Sequence, residues 1–389
     1  MIEIIALFAL AVWVYLLAVR GRFWLAGERD DRPEPPKPAA WPGVVVVIPA
    51  RDEAAGIGET VQSLLKQDYP GLQIFVVDDG SADGTAAAAE NAAIALNARA
   101  SVTVLKGQPL PSGWTGKVWA QKQGVAAALA QPQSPRYLLL TDADIVYAPG
   151  ALKRIVARAE QGRTALTSVM VKLRCESLAE RAFVPAFVFF FQMLYPFAWV
   201  NRPEYATAAA AGGCMLVRGD VLEESGGIDG IRSALIDDCA LAAQIKAEAP
   251  IWLGLSESVH SIRTYDTFGP IRRMVTRSAY AQLHYSPLRL LGATLGMALT
   301  FLAGPLLAIF ASGTAALAGV AAWLMMAIAF QPTLRLYRLN PLWGAALPLI
   351  ALAYMVWTVE SAWQYARGQG GQWKGRVQAA PKSAPRGAR

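Results

Sequence analysis

Three acidic groupings stand out for the chemistry they could do. Asp78-Asp79-Gly80-Ser81 follows the apolar run 74–77, Asp142-Ala143-Asp144 follows the apolar run 137–141, and Asp237-Asp238 precedes Cys239-Ala240-Leu241. A carboxylate at a strand end can accept the imide N–H of uracil, and the neighbouring glycines admit a close backbone approach. Alternate residues of an extended segment point to one side, so Asp142 and Asp144 can share a hard divalent cation. Such an ion offsets the charge that builds on a leaving diphosphate. Adjacent carboxylates in a partly desolvated cleft raise a pKa towards neutrality, which suits Asp238, with Asp237 beside it, to general-base work. Moving a sugar from a nucleotide diphosphate to a hydroxyl needs one function of each kind, and they occur here in that order. Each motif also has a plainer reading: a strand-to-helix turn capped by Asp83, a surface carboxylate pair, or a helix cap at 237–238.

Basic and small residues extend the set. Gly113-Trp114-Thr115-Gly116-Lys117 lies just before a helical stretch, where backbone amides and Lys117 could hold a diphosphate; a glycine-rich turn with a solvent lysine reads equally well. Arg272, Arg273 and Arg277 could clamp the same diphosphate or meet lipid headgroups. The run Ala208 to Gly213 could admit an acceptor close to the backbone or mark tight packing. Only two histidines, His260 and His284, are present, which argues against a His-built zinc site and for Mg²⁺ or Mn²⁺ on carboxylates. Cys175, Cys214 and Cys239 have no CxxC spacing and read as reduced structural thiols.

These residues need elements to position them. Val44 to Ile48 is a β-branched run of the kind expected for a parallel strand buried on both faces. A helix over 54–67, a strand over 74–77, an alanine-rich helix from Asp83-Gly84-Thr85 to about 98, a strand over 102–105, a helix over 117–130 and a strand over 137–141 follow. Strands and helices alternating at these lengths predict an α/β domain with a mostly parallel sheet, whose ligand sits at the strand carboxyl ends. Both Asp78-Asp79 and Asp142/Asp144 lie at such ends.

The bulk composition points to a membrane. The chain has 389 residues, 54% of them hydrophobic and only 17% charged, with a mean hydropathy of +0.31; that is too apolar for an ordinary cytosolic enzyme. The net charge of +7 comes without a Lys/Arg cluster interleaved with aromatics in the central domain, so nucleic acid is not the expected partner. Basic residues flanking apolar runs fit anionic headgroups instead. Residues 2–19 read as an uncleaved anchor, since Glu3 precedes the run and Arg20, Arg22 and Arg29 follow it, placing the next loop in the cytoplasm. Residues 28–42 read as a stiff Pro-rich linker. Residues 288–311, 314–330 and 342–359 read as further spans, with a basic tail over 361–389. Three crossings would put that tail outside, whereas its charge prefers the inside; one apolar segment could be re-entrant. The aromatic segment 182–200 is interrupted by Pro185 and Pro196, and a crossing there would part Asp144 from Asp238. It is expected to lie in the membrane interface beside the site, or to be a core helix of the same domain.

Val47-Ile48-Pro49-Ala50-Arg51-Asp52-Glu53, the Asp-Asp-Gly-Ser block, Asp-Ala-Asp and Asp237-Asp238 together resemble family 2 glycosyltransferases of the GT-A fold. The resemblance covers roughly residues 43–283, with a membrane arrangement similar to ceramide glucosyltransferases. The longer strings at 113–120, 185–197, 210–216 and 236–241 are similar to the hopanoid-biosynthesis-associated glycosyltransferase. The resemblance implies a UDP-sugar donor, a divalent metal and inversion at the anomeric carbon. It places Pro49, Ala50, Arg51, Glu53, Asp78, Asp79, Lys117, Asp142 and Arg277 at the nucleotide sugar, Asp79 on the uridine, Asp144 with Asp142 on the metal, and Asp238 with Asp237 at the catalytic base. Asp237 stands where many members have Glu. At the site of the family's Gln/Arg-x-x-Arg-Trp motif only Arg277 is kept, which speaks against a processive polymerase.

The expected organisation is therefore an anchor (1–27), a linker (28–42), a GT-A catalytic domain (43–287), transmembrane helices (288–360) and the tail, in a bacterial-type inner membrane with the domain facing the cytoplasm. The expected partners are a UDP-sugar and a membrane lipid, with a hopanoid as the acceptor the resemblance implies. Two rivals stand beside this reading. Transfer to a polyprenyl phosphate would need no base, because that acceptor is already an anion. A non-catalytic membrane scaffold of a lipid-synthesis complex would bind nucleotide without turnover.

Overall fold

The β-branched run forms β1 (Val44–Ala50), buried along its whole length. It pairs in parallel with β2 (Gln73–Asp78) on one side and β4 (Tyr137–Thr141) on the other, and β2 pairs in parallel with β3 (Val102–Lys106). The helices Ala54–Leu65, Thr85–Ala95 and Gly116–Leu129 make the connections between these strands. Each expected boundary over 44–141 falls within a few residues of the observed one. The computed structural model describes residues 1–372 and 374–379; Trp373 and the tail residues Lys382, Arg386 and Arg389 lie outside the described residues.

The rest of the sheet departs from a mostly parallel one. β7 (Cys214–Arg218) lies antiparallel to β4 and to β6 (Leu166–Lys172). β8 (Ile251–Ser261) runs parallel to β6, and β5 (Ile145–Tyr147) closes the edge antiparallel to β8. The order is β3-β2-β1-β4-β7-β6-β8-β5, so a parallel half is joined to a mixed half at β4. The core beneath one face is built from Val44, Val46, Ile48, Ile57, Leu64 and Leu139.

Contacts divide the chain into two units: residues 28–174 with 199–264, and residues 1–27, 175–198 and 265–389. The start of the expected linker belongs to the first. Leu255 N–H donates to Glu28 O at 2.8 Å and Asp30 N–H to Leu255 O at 3.0 Å. Asp30 is buried and accepts from Ser256 Oγ at 2.7 Å, while Arg29 pairs with Glu257 at 2.7 Å. These residues are docked along β8 rather than spanning free, because their backbone and a buried carboxylate find partners there.

The second unit is helical. Pro287–Phe310, Gly313–Leu336 and Trp343–Ala366, of 24 residues each, are long and apolar enough to cross a membrane. At ~1.5 Å per residue each reaches ~36 Å, beyond a hydrocarbon core of ~30 Å. The expected anchor is a shorter helix, Ile2–Ala18, of 17 residues, reaching only ~26 Å. Gly319 brings two of these helices together: a Cβ there would lie 2.7 Å from Gly304 O, a close crossing that small residues permit. Outward leucines such as Leu288, Leu317 and Leu349 stay exposed.

Pro185 does not interrupt its segment. It lies inside the helix Leu178–Leu194, which opens with a capping box between Ser177 and Glu180. Phe183, Ala186 and Phe189 of that helix are buried with Trp13, Phe330, Tyr354 and Trp357, and Tyr354 Oη donates to Phe183 O at 2.9 Å. The aromatic helix therefore packs among the apolar helices and is not a core helix of the sheet-bearing unit.

Candidate active site

The parallel pairing sets the ends of β1 and β2 level. Ala50 lies opposite Asp78, and Asp79 N–H donates to Ala50 O at 2.9 Å. Pro49 and Ala50 therefore sit at the mouth of the sheet, with Arg51 to Glu53 leading into the next helix. Arg51 Nη1 donates to Asp79 O at 2.5 Å and lies 3.7 Å from its carboxylate. Asp79 is buried, while Asp78 is only partly so. Gly80, at φ +71°, makes the turn that lets Ser81 N–H reach Asp78 Oδ1 at 2.9 Å. Asp83 is no simple cap: its carboxylate accepts from Thr85 N at 3.1 Å and from Ala54 N at 2.9 Å, stapling two helix N-termini together.

Asp142 and Asp144 occupy the link between β4 and β5 and are held by different cations. Asp142 Oδ1 lies 2.9 Å from Lys117 Nζ. Asp144 Oδ2 accepts from Arg263 Nε at 2.8 Å and from Ser261 Oγ at 3.0 Å. The expected sharing of one ion thus begins from two separately paired carboxylates. Among the described residues no group of three or more His, Cys, Asp or Glu could hold a metal ion. The two oxygen donors still suit Mg²⁺ or Mn²⁺, which commonly take one or two carboxylates and complete their shell with substrate phosphates. Burial pushes the Asp142 carboxyl up; Lys117 opposes this and Asp144 adds to it.

The antiparallel strand β7 brings in the third grouping. Thr141 pairs with Cys214, and Thr141 Oγ1 donates to Gly213 O at 2.7 Å, so the small-residue run ends beside Asp142. Gly212 N–H then donates to Asp238 Oδ2 at 2.9 Å, and Cys239 N–H donates to Asp238 Oδ1 at 2.7 Å. Asp237 and Asp238 form the first turn of the helix Asp237–Lys246, where the helix dipole favours carboxylates. Lys117 Nζ, in the first turn of its own helix, also lies 3.1 Å from Asp237 Oδ2. One ammonium therefore serves Asp142 and Asp237, with Asp238 close enough to act on it.

The electrostatics follow from that crowding. Burial would lower the Lys117 pKa, but Asp142, Asp237 and Asp238 more than offset it and hold the ammonium charged. Burial pushes the Asp238 carboxyl up to about 6, and Asp237 adds to the push. Lys117 and the two backbone N–H groups pull the other way.

The sheet-bearing unit thus brings together every candidate except Arg277. That residue belongs to the helix Phe268–Gln282 of the other unit. Arg272, on the same helix, is taken by Glu360, its Nε donating at 2.7 Å. Three residues were missed from sequence. Arg263 pairs with both Asp144 and Glu53, Ser261 touches Asp144, and Gly212 holds Asp238. Nothing local marks Arg263 or Ser261; Gly212 lies in the small run at 208–213, whose alternatives are an acceptor's approach or tight packing, and its closeness to Lys117 and Asp238 is tight packing.

Residues 45–226 match the family model described as Glycosyl transferase family 2. The sheet-bearing unit is GT-A-like and carries a family 2 glycosyltransferase domain. The chain is similar to an N-acetylglucosaminyltransferase of Mesorhizobium japonicum, 31% identical over 127 residues that cover 32% of this chain and 27% of that protein. It is similar to an N-acetylglucosaminyltransferase of Rhizobium leguminosarum bv. viciae, 34% identical over 116 residues that cover 29% of this chain and 24% of that one. The chain thus spans about a quarter of the length of the curated relatives it matches. In fold it is similar to a mannosyltransferase from Pyrobaculum calidifontis solved in complex with GDP-Man and Mn²⁺, at a TM-score of 0.56 and 18% identity, covering 94% of this chain and 99% of that one.

Proposed function

We propose that this protein moves a sugar from a UDP-sugar to a hydroxyl of a membrane lipid, with inversion at the anomeric carbon. The observation that carries the reading is Asp238, a partly buried carboxyl pushed up to about 6, grouped with Lys117 and Asp142 at the carboxyl ends of the parallel strands. A group of that proton affinity can accept a proton near neutral pH.

On this reading Asp79 accepts the uracil imide N–H, and Pro49, Ala50, Arg51, Glu53 and Asp78 shape the nucleotide side. Lys117 lies where it can turn from Asp142 to a diphosphate. Asp144 and Asp142 are the residues that would hold Mg²⁺ or Mn²⁺, which when bound neutralises charge on the diphosphate. The acceptor oxygen bonds to the anomeric carbon as its proton passes to Asp238, and the bond from that carbon to the diphosphate oxygen breaks. Asp237 supports Asp238 by raising its proton affinity and by anchoring Lys117.

Three long apolar helices in the same chain support a membrane lipid as acceptor, and the resemblance of the long motif strings implies a hopanoid. The arginines that follow the first apolar helix support a cytoplasmic catalytic domain in an inner membrane. Arg277 stays a candidate for the donor diphosphate by resemblance alone.

The test is metal-dependent release of nucleoside diphosphate by the purified full-length protein with hopanoid-containing lipid extract. The donor panel includes UDP-N-acetylglucosamine and GDP-mannose. Release that requires one sugar, Mg²⁺ or Mn²⁺ and the lipid, and that falls roughly 10²–10⁴-fold in Asp238→Asn, supports the reading. Substantial activity in Asp238→Asn would point to a phosphate acceptor. Tight UDP binding with no turnover would point to a scaffold.

A further inference from the structure

Arg263, just past β8, joins two parts of the candidate site. Its Nε donates to Asp144 Oδ2 at 2.8 Å and its Nη2 to Glu53 Oε1 at 2.7 Å. Ser261 Oγ donates to the same Asp144 oxygen at 3.0 Å, and Arg263 N–H donates to Ser261 Oγ at 3.2 Å. Two donors converge on one oxygen of a buried carboxylate, and no hydrogen bond from the described residues reaches Oδ1. A carboxylate free to turn offers one oxygen or both. One whose Oδ2 is doubly committed offers Oδ1 alone, in a fixed direction. The planar guanidinium suits this task, since its fork can engage two carboxylates at once, which a lysine ammonium matches poorly.

We propose that Arg263 is a positioning residue for the metal carboxylate. With Ser261 it fixes Asp144 so that Oδ1 is the oxygen offered to a divalent cation, and its other arm ties that carboxylate to the nucleotide-side loop at Glu53. The assignment rests on the reading of Asp144 as a metal ligand in the function proposed above. It differs in sign from a plain counter-ion role. Removing a positive charge beside Asp144 would by itself strengthen cation binding, whereas losing a partner that orients a metal ligand weakens it.

The measurement is Mn²⁺ binding to the detergent-solubilised full-length protein, with free Mn²⁺ read by electron paramagnetic resonance, with and without UDP. Arg263→Gln is expected to weaken Mn²⁺ binding roughly 10- to 100-fold, with Arg263→Lys falling between it and the wild type. Ser261→Ala, which changes no charge, is expected to weaken it several-fold. Unchanged or tighter binding in Arg263→Gln and Ser261→Ala overturns the assignment. If Arg263→Gln does not fold, Ser261→Ala decides by the same criterion. A wild-type protein that binds no Mn²⁺ in either condition overturns the metal reading and this assignment together, which separates the two failures.

Discussion

The backbone N–H of Gly212 donates to Asp238 Oδ2 at 2.9 Å, so the candidate base is held by a residue on the far side of an antiparallel pairing. A Cβ at Gly212 would lie 3.2 Å from Lys117 Nζ and 3.3 Å from Asp238 Oδ2. Both atoms end side chains that can give by a few tenths of an ångström, so Gly212→Ala should fold. The displaced charges sit at the proposed reacting centre, however, where about 1 Å of misplacement costs on the order of 100-fold. Gly212→Ala is expected to lower kcat about tenfold with little change in Tm, read by donor turnover and a thermal melt.

Asp238 makes activity and stability run in opposite directions with pH. As a base it must be deprotonated, so kcat/KM should fall as the pH drops through about 6, and that limb should vanish in Asp238→Asn. For stability, the folded pKa lies above the ordinary value of 3.8. The folded state therefore holds the proton more tightly than the unfolded chain, and the benefit is lost as the pH rises from about 4 to above 6. Asp238→Asn removes this pH dependence but sets an amide NH2 against one of the two backbone N–H groups that the carboxylate accepts from, so the variant's melting temperature relative to wild type should rise between pH 4.5 and pH 8. Melts at pH 8 and pH 4.5 check it.

The parallel half of the sheet is legible in the sequence because its strands are long β-branched or leucine-rich runs, and each acidic motif follows one. β1 and β4 meet this description at Val44–Ile48 and Tyr137–Thr141. The antiparallel strand β7 is only Cys214–Arg218, too short to declare its direction, and that direction is what carries Gly212 to Asp238. Arg263 was invisible for a similar reason: its role arises from β8 delivering it to Asp144, 119 residues away in the chain. Pro185 does not end its helix because a proline removes only one helical hydrogen bond and buried neighbours hold the turns on either side.

Lys117 balances three carboxylates, so its loss should be felt at every one. Lys117→Met leaves Asp142, Asp237 and Asp238 without their ammonium, and breaking a buried pair such as Lys117–Asp237 costs about 3–5 kcal/mol. Without the ammonium that opposes it, burial would push the Asp142 and Asp238 carboxyls further up, so acid should restore part of the loss. Lys117→Met is expected to melt well below wild type at pH 8 and to recover towards it at pH 5. A deficit that stays constant across this range would mean that Lys117 acts through packing and not through charge.

The helix that carries Lys117 lies close against the sheet at Gly124. A Cβ there would fall 2.4 Å from Val47 Cγ1 and 3.0 Å from Val77 Cγ2, both fully buried side chains of β1 and β2. Helix propensity favours alanine by about 1 kcal/mol, but inserting a methyl into a packed core costs about 1–3 kcal/mol, and β-branched valines have little rotamer freedom with which to yield. Packing should win. Gly124→Ala is expected to lose about 1–2 kcal/mol net, and, by pushing the helix outward, to raise KM for the donor as Lys117 moves with it. Chemical denaturation together with donor titration checks both effects. A variant more stable than wild type would show that the helix can move away from β1 at no cost.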